Sequence, residues 1–310
     1  LSNSTLLHRV STMQKKPVTS TSSKPITKDQ DYQKYVNLSL QLNRWIQKPM
    51  GIWPMSSDIS KREKYLYRLI KAVCCALISF LFVPCALYII LEVKDLYNKL
   101  KLVAPMNFCG MAFMKYYSFI LHEDDIRACV KQIEWDWKNL TYFKDRDLMV
   151  MNANFGRRLV TICSAFMWCG FTFYFLAIPI SVGAIPAEGE NFTFIPMVFP
   201  VTSYVVDTRY SPTNEIFVAV QFVAGIIIHA VTVAACSMAA VLAVHACGQM
   251  DVLICWLEHL IDSRPDMSDD VNVRIANTVT QHVRVLKCVR YILLVKHNTY
   301  TSDFIRRVQW

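Results

Sequence analysis

Four long runs of hydrophobic residues divide this chain of 310 residues. We place them at residues 72–91, 102–121, 159–182 and 216–244. The hydrocarbon core of a bilayer is about 30 Å thick, and about 20 helical residues cross it. Each run is therefore long enough for a transmembrane helix. The pattern predicts an all-α membrane protein, a helical bundle in which four transmembrane helices are present.

Helical periodicity continues outside these runs. Apolar side chains recur at helical spacing over residues 31–45, which predicts a helix lying along the membrane surface. The charged segment 122–158 carries an apolar stripe from Ile126 to Trp137, and we expect it to consist of extensions of the second and third transmembrane helices. After the fourth run, the pattern predicts that its helix continues over 245–261 and that a last helix follows over 271–295.

Two regions follow from composition. Residues 1–31 are rich in Ser, Thr, Lys and Pro and have no apolar period, so we expect this segment to be disordered. Residues 32–310 are expected to form the transmembrane domain. Hydrophobic residues make up 54% of the sequence and charged residues 18%, which is typical of a membrane protein.

The distribution of Lys and Arg predicts the orientation. Twelve of the 33 basic residues precede the first run with Lys71 at its edge as a thirteenth, and three lie between the first and second. Seven lie between the second and third, one between the third and fourth, and eight after the fourth. Cytoplasmic loops of membrane proteins carry the excess of positive charge, so we expect a multi-pass protein of the cell membrane with a cytosolic N-terminus.

The net charge of +9 has a membrane explanation, because basic residues that flank spans contact anionic lipid. No basic patch is interleaved with aromatic residues in a soluble segment, so we expect membrane lipid and not nucleic acid as the partner of this charge. Of the four Asn-X-Ser/Thr sequences, only Asn191-Phe192-Thr193 falls in the predicted outer segment 183–215. We therefore predict glycosylation at Asn191.

The sequence contains no constellation of catalytic residues. Eight glycines form no phosphate-binding loop, and no serine-hydrolase motif is present. The eleven cysteines have no zinc-ligand spacing, and none lies in the predicted outer segment. His229 stands alone in the fourth run, where a buried histidine bonded to a neighbouring helix is the ordinary interpretation, although membership of a polar pocket stays open. We expect no enzymatic activity, no metal and no cofactor.

Several segments together resemble the insect odorant receptor family. They are Leu42-Asn43-Arg44-Trp45 with Gly51-Ile52-Trp53-Pro54, Asp124-Asp125-Ile126-Arg127 leading into Ile133-Glu134-Trp135-Asp136-Trp137, Arg209-Tyr210-Ser211-Pro212 with Glu215 and Gln221, His245-Ala246-Cys247-Gly248-Gln249, and His282-Val283-Arg284. Each motif is degenerate, but their order and spacing are specific, and they cover residues 35–286.

The resemblance implies a function. Members of this family have seven transmembrane helices and a cytosolic N-terminus, and they form tetrameric cation channels that odorants open. A ligand-specific subunit pairs with a shared coreceptor, and the seventh span lines the pore. The resemblance thus implies an odorant receptor subunit whose partners are a small volatile odorant and the coreceptor.

The sequence departs from the family pattern near its end. Residues 291–310 are mostly polar and contain no spanning run, so we expect a receptor truncated after the fourth span. An alternative interpretation is therefore that the chain is a truncated receptor product without function. Another is a fragment of a transporter or membrane enzyme, which would need a charged pair facing the membrane midplane, and none is evident. A related taste receptor is disfavoured by the motifs above.

The family resemblance also implies a ligand site in the outer half of the bundle. Small volatile ligands require an apolar, aromatic-lined cavity with few polar groups. The lining residues that we expect are Phe108, Met111, Phe171, Tyr174, Phe175, Phe217 and Gln221. Aromatic residues at helical spacing are also typical of plain packing or of lipid contacts. The sequence does not specify which odorant binds.

Overall fold

The structure, a computed structural model, describes residues 28–54, 60–140, 142–186, 193–204, 206–264 and 267–300. Its helices are α1 (Lys28–Gln47), α2 (Lys61–Leu91), α3 (Leu96–Leu121), α4 (Glu123–Lys138), α5 (Phe143–Thr172), a π-helical turn (Phe173–Ala177), α6 (Ile178–Val182), α7 (Thr213–Glu258) and α8 (Val271–Tyr300). Two short antiparallel strands, β1 (Ile185–Pro186) and β2 (Thr193–Phe194), lie between α6 and α7. The predicted helical bundle is confirmed.

Three of the described helical stretches are long and apolar enough to cross a membrane, namely Lys61–Leu91, Phe143–Val182 and Thr213–Glu258. They contain the first, third and fourth predicted runs. The second run lies in α3, which is 26 residues long but is not among the three. Asn107, Lys115 and two tyrosines lower its hydropathy, and its passage through the membrane stays a prediction.

The prediction for residues 122–158 was partly wrong. The second long helix does not extend through this segment, because α3 ends at Leu121 and His122 leaves helical geometry with φ −104° and ψ 26°. A separate helix, α4, follows, with Glu123, Asp124 and Asp125 in its first turn. Carboxylates in this position stabilise a helix because they lie at the positive end of its dipole. The expected stripe from Ile126 to Trp137 is buried, and α5 extends the third span as predicted.

The 46-residue helix α7 is the central element of the bundle. Its buried residues run from Asn214 to Leu253, so most of its length lies against other parts of the described chain. At Gly248 an added Cβ atom would lie 2.8 Å from the Met149 sulfur of α5. A larger residue at this crossing would thus have to displace the Met149 side chain.

The N-terminal helix α1 is docked onto the bundle. It begins at Lys28, inside the segment predicted to be disordered, while residues 1–27 lie outside the described part of the chain. Gln47 Nε2 donates to the Ala234 carbonyl of α7 at 3.4 Å. The Tyr116 hydroxyl of α3 donates to the Met50 carbonyl at 2.8 Å, which fixes the turn that follows α1. A helix over 31–45 is confirmed, while its position along the membrane surface stays a prediction.

A buried ion pair ties the start of α5 to the segment after α7. Arg264 Nη1 lies 2.9 Å from Asp145 Oδ1, and the two side chains are 1% and 0% exposed. Trp256 Nε1 donates to Asp145 Oδ2 at 2.7 Å, and the Arg264 guanidinium lies 5.3 Å from the centre of the Tyr142 ring. These partners compensate the loss of hydration that a buried charge suffers.

The opposite end of the bundle carries the described residues of the segment 183–212, which we call the loop end. The carboxylate of Glu92, just after α2, holds this segment in place. Glu92 Oε1 accepts hydrogen bonds from the Thr202 hydroxyl at 2.5 Å, the Ser203 amide at 2.7 Å and the Ser203 hydroxyl at 3.1 Å. One carboxylate thus connects residues more than a hundred positions apart.

This connection predicts a dependence on pH. Burial raises the pKa of Glu92, but the hydrogen bonds from Thr202 and Ser203 outweigh it and hold the pKa below the ordinary value of 4.5. The stabilisation is therefore complete above pH 4.5 and is lost as the pH falls through the lower pKa of the folded state. We expect acid to speed hydrogen exchange of the Thr202 and Ser203 amides, relative to reference amides, below that range. In Glu92→Gln this extra acid sensitivity should be absent. An equal acid response in both proteins would contradict the assignment.

Candidate functional site

Aromatic rings from three helices meet around His229 of α7. Its ring centre lies 5.0 Å from that of Phe108 on α3, 5.1 Å from that of Phe171 on α5 and 6.0 Å from that of Phe175 in the π-helical turn. Phe171 and Phe175 stack at 4.9 Å. We call these four residues, with Phe199 and Phe222, the aromatic cluster; Phe222 lies 5.4 Å from Phe171 and Phe199 lies 6.1 Å from Phe175.

The π-helical turn brings part of this cluster into the bundle. Phe171 is 5% exposed and Phe175 is 8% exposed, whereas Phe173 between them is 64% exposed. A π turn inserts an extra residue into a helix and changes which side chains face its neighbours, and such turns occur frequently at functional sites. Periodicity in the sequence contains no signal for this turn.

Gly225 makes room for the cluster on α7. A Cβ atom added at this position would lie 2.6 Å from the Phe175 Cζ atom and 2.7 Å from Cε1. Those separations are below van der Waals contact, so the Phe175 ring occupies the space that any other residue would fill. One turn later, His229 Nδ1 lies 2.9 Å from the Gly225 carbonyl oxygen.

The structure brings together four of the seven predicted ligand-site residues. Phe108, Phe171 and Phe175 lie in the aromatic cluster, and Tyr174 is at its edge with its ring 6.3 Å from that of Phe175. Tyr174 remains 38% exposed. Their contact with a ligand stays a prediction, but their mutual proximity is now established.

The other three predicted residues have different surroundings. Phe217 packs on Phe80 of α2, with ring centres 5.3 Å apart. Met111 is 42% exposed. Gln221 is buried, and both ends of its amide are engaged: Nε2 donates to the Phe199 carbonyl at 2.6 Å, and Oε1 accepts from the Phe199 amide at 3.2 Å. Gln221 therefore anchors the loop end over the cluster.

Sequence reasoning missed the contribution of the loop end. Phe199 lies in an irregular segment, where no periodicity predicts which side chain turns inward. Its placement depends on the two hydrogen bonds with Gln221, which join positions 22 residues apart. His229 was interpreted as a histidine bonded to a neighbouring helix, but its hydrogen-bond partner is the Gly225 carbonyl of its own helix, four residues earlier.

Polar clefts lie nearer the loop end. One of about 450 Å³ is bounded by Tyr88, Glu92, Met197, Asp207 and Arg209, among other residues. Asp207 and Arg209 form an ion pair at 2.8 Å there, and hydrogen bonds from Arg209 lower the pKa of Asp207. Charged side chains share the lining of this cleft with apolar ones, so the aromatic cluster offers a more uniformly apolar surface to an apolar ligand. Among the described residues, no group of three His, Cys, Asp or Glu side chains is placed to hold a metal ion.

The comparisons with known proteins agree with this architecture. The family model described as 7tm Odorant receptor matches residues 99–305. The solved structure of the insect olfactory receptor OR5 from Machilis hrabei has a similar fold, with a TM-score of 0.58 and 16% identity over 89% of this chain and 68% of that receptor. The structure of the same receptor in complex with eugenol has a TM-score of 0.57 and 16% identity, over 87% of this chain and 68% of that receptor. No curated protein matches the sequence significantly.

Proposed function

Because this chain belongs to the odorant receptor family, we propose that it is an odorant receptor subunit that binds a small volatile ligand at the aromatic cluster. The observation that carries the proposal is the meeting of rings from α3, α5, the π-helical turn and α7 around one histidine. A site of this kind offers apolar contact to a small ligand on several sides, with few polar groups to be desolvated.

The structural neighbour supports the class of ligand. That receptor was solved in complex with eugenol, a small volatile molecule. The shared fold makes a volatile ligand of similar size a reasonable expectation for this chain, and the aromatic cluster is the part of the described bundle with suitable chemistry. We propose further that ligand binding gates a cation channel formed with the shared coreceptor.

The proposed location is the cell membrane, with the N-terminus in the cytosol and the loop end outside. The clustering of Lys and Arg before the first run and between the second and third supports this orientation. In this orientation the aromatic cluster lies in the outer half of the bundle. Its member Phe199 belongs to the loop end and is bonded there to Gln221 of α7.

Glycosylation tests the orientation. Asn191 lies outside the described residues, but its neighbours on both sides belong to the loop end. We expect the protein from eukaryotic cells to lose apparent mass on glycosidase treatment, and Asn191→Gln to abolish that shift. Asn139→Gln is the matched control and should leave the shift intact. A shift that persists in Asn191→Gln would reverse the proposed orientation.

Binding of volatile probes tests the proposed site. The free concentration of a volatile compound above proteoliposomes is measured by headspace gas chromatography, with protein-free liposomes correcting for uptake into lipid. Phe171→Leu keeps an apolar side chain of similar size but removes a buried ring of the cluster. An aromatic pair contributes about 0.5–1.5 kcal/mol, so we expect affinity for aromatic volatiles of up to ten carbons to fall about threefold to tenfold.

Phe173→Leu is the control, since Phe173 is 64% exposed and lies two residues from Phe171 on the same helical stretch. This variant should bind as the wild type does. Equal losses in Phe171→Leu and Phe173→Leu, or binding that neither substitution changes, would contradict the placement of the site.

A further inference from the structure

We propose that His229 determines which odorants bind, because its Nε2 atom accepts a hydrogen bond from a ligand hydroxyl. The site would then prefer alcohols and phenols with a compact apolar body over hydrocarbons of the same shape. This inference rests on the proposed function, and it adds the chemical class of the ligand.

The hydrogen bond within α7 fixes the tautomer of His229. Its Nδ1 atom lies 2.9 Å from the carbonyl oxygen of Gly225, and a carbonyl oxygen only accepts hydrogen bonds. Nδ1 must therefore carry the proton. In the interior of a membrane bundle the imidazole is neutral, because a charge there is strongly unfavourable. A neutral imidazole protonated at Nδ1 leaves Nε2 as a bare acceptor.

Among the described residues around His229, no side chain donates a hydrogen bond to that acceptor. The rings of Phe108, Phe171 and Phe175 lie against the imidazole, and none of them has a polar atom. In the described part of the chain, the Gly225 carbonyl is the hydrogen-bond partner of His229, and it engages Nδ1. The His229 residue is only partly buried, so the described residues leave part of it accessible.

Other polar side chains of this part of α7 are already committed. Gln221 uses both ends of its amide on the Phe199 backbone. Thr232 donates its hydroxyl proton to the Ile228 carbonyl at 3.1 Å. On this stretch of the helix, Nε2 of His229 is thus the side-chain acceptor that we assign to a ligand hydroxyl.

The unpaired Nε2 acceptor makes the affinity of a ligand depend on whether it has a hydroxyl more than on its size. A hydrocarbon that fills the site leaves the Nε2 acceptor without a partner, whereas an alcohol pairs it. Sites that hold a polar group for a ligand hydroxyl discriminate strongly against analogues that lack the hydroxyl, while a hydrophobic wall distinguishes them poorly. We expect the alcohol to bind about tenfold more tightly than its hydrocarbon counterpart, after correction for partition into lipid.

A pair of matched probes tests this. 2-Phenylethanol and propylbenzene have the same shape and differ by a hydroxyl in place of a methyl group. Dissociation constants for both are measured by headspace gas chromatography over proteoliposomes of wild type, His229→Phe and His229→Gln. His229→Phe keeps an aromatic ring but has no hydrogen-bond acceptor. His229→Gln keeps an acceptor, the amide oxygen, on a side chain that is not aromatic.

The proposal predicts that the preference for the alcohol collapses to about onefold in His229→Phe through weaker binding of 2-phenylethanol, and that His229→Gln restores part of it. Propylbenzene should bind His229→Phe at least as well as it binds the wild type. An unchanged ratio of the two dissociation constants in His229→Phe would overturn the role of His229 while leaving the proposed function standing. Failure of the wild type to bind either probe would instead overturn the proposed function, and with it this inference.

Discussion

Arg264→Leu is expected to lower the free energy of unfolding by about 3–5 kcal/mol, because it leaves the Asp145 carboxylate buried without its counter-charge. Asp145 is fully buried, and its other partner is the indole N–H of Trp256. One neutral donor does not replace a guanidinium as a partner for a buried carboxylate. The loss should appear in urea titrations of the purified protein in mixed micelles.

Two controls separate the ion pair from general damage. In Asp145→Leu with Arg264→Leu no buried charge remains, so much of the lost stability should return. Asp124→Asn removes an acid that pairs with Arg127 at the surface, where the carboxylate is 92% exposed, and should change stability by less than about 1 kcal/mol. A double variant as unstable as Arg264→Leu alone would contradict the assignment of the loss to an unpaired charge.

Gly225→Val is expected to abolish ligand binding and to destabilise the bundle by about 1–3 kcal/mol. The added side chain requires the space that Phe175 Cζ occupies, 2.6 Å from the Cβ position. The Phe175 ring must then leave its stack on Phe171, and the aromatic cluster loses its shape. Headspace binding and unfolding of the variant in micelles measure the two effects.

Gly170→Val is the matched control. Gly170 also lies in a membrane-spanning helical stretch, but a Cβ atom added there has nothing within 4 Å. The same substitution should therefore leave both binding and stability close to those of the wild type. If both variants lose binding equally, the loss comes from valine in a helix and not from displacement of Phe175.

The helices could be predicted from the sequence because hydrophobic periodicity is a local signal. The 46-residue helix α7 contains the fourth predicted run and its extension as far as Glu258, and α8 begins at Val271 as expected. The end of α3 at His122 was missed, since a helix start at Glu123 directly after a helix end produces no interruption in the apolar pattern. Glu123, Asp124 and Asp125 are acids typical of a first helical turn, but the apolar spacing there fits one long helix as well as two.

The candidate site was only partly predictable, because its geometry depends on contacts between distant residues. The sequence places Phe108, Phe171 and Phe175 in neighbouring spans, and the structure confirms that they meet. The Gln221 amide is engaged by the Phe199 backbone, a pairing that no local pattern encodes, and its contact with a ligand stays a prediction. The buried pair of Asp145 and Arg264 joins positions 119 residues apart, so no local pattern predicts it either.

Photolabelling with a volatile ligand tests the central claim most directly. A benzyl alcohol that carries a trifluoromethyl diazirine is bound to the protein in proteoliposomes, irradiated and located by peptide sequencing. The account predicts labels in residues 171–175 and 221–229 that excess unlabelled 2-phenylethanol removes and that Gly225→Val abolishes. Competable labelling confined to other parts of the chain, with none at Phe171, Phe175 or His229, would show that the aromatic cluster is packing and not the odorant site.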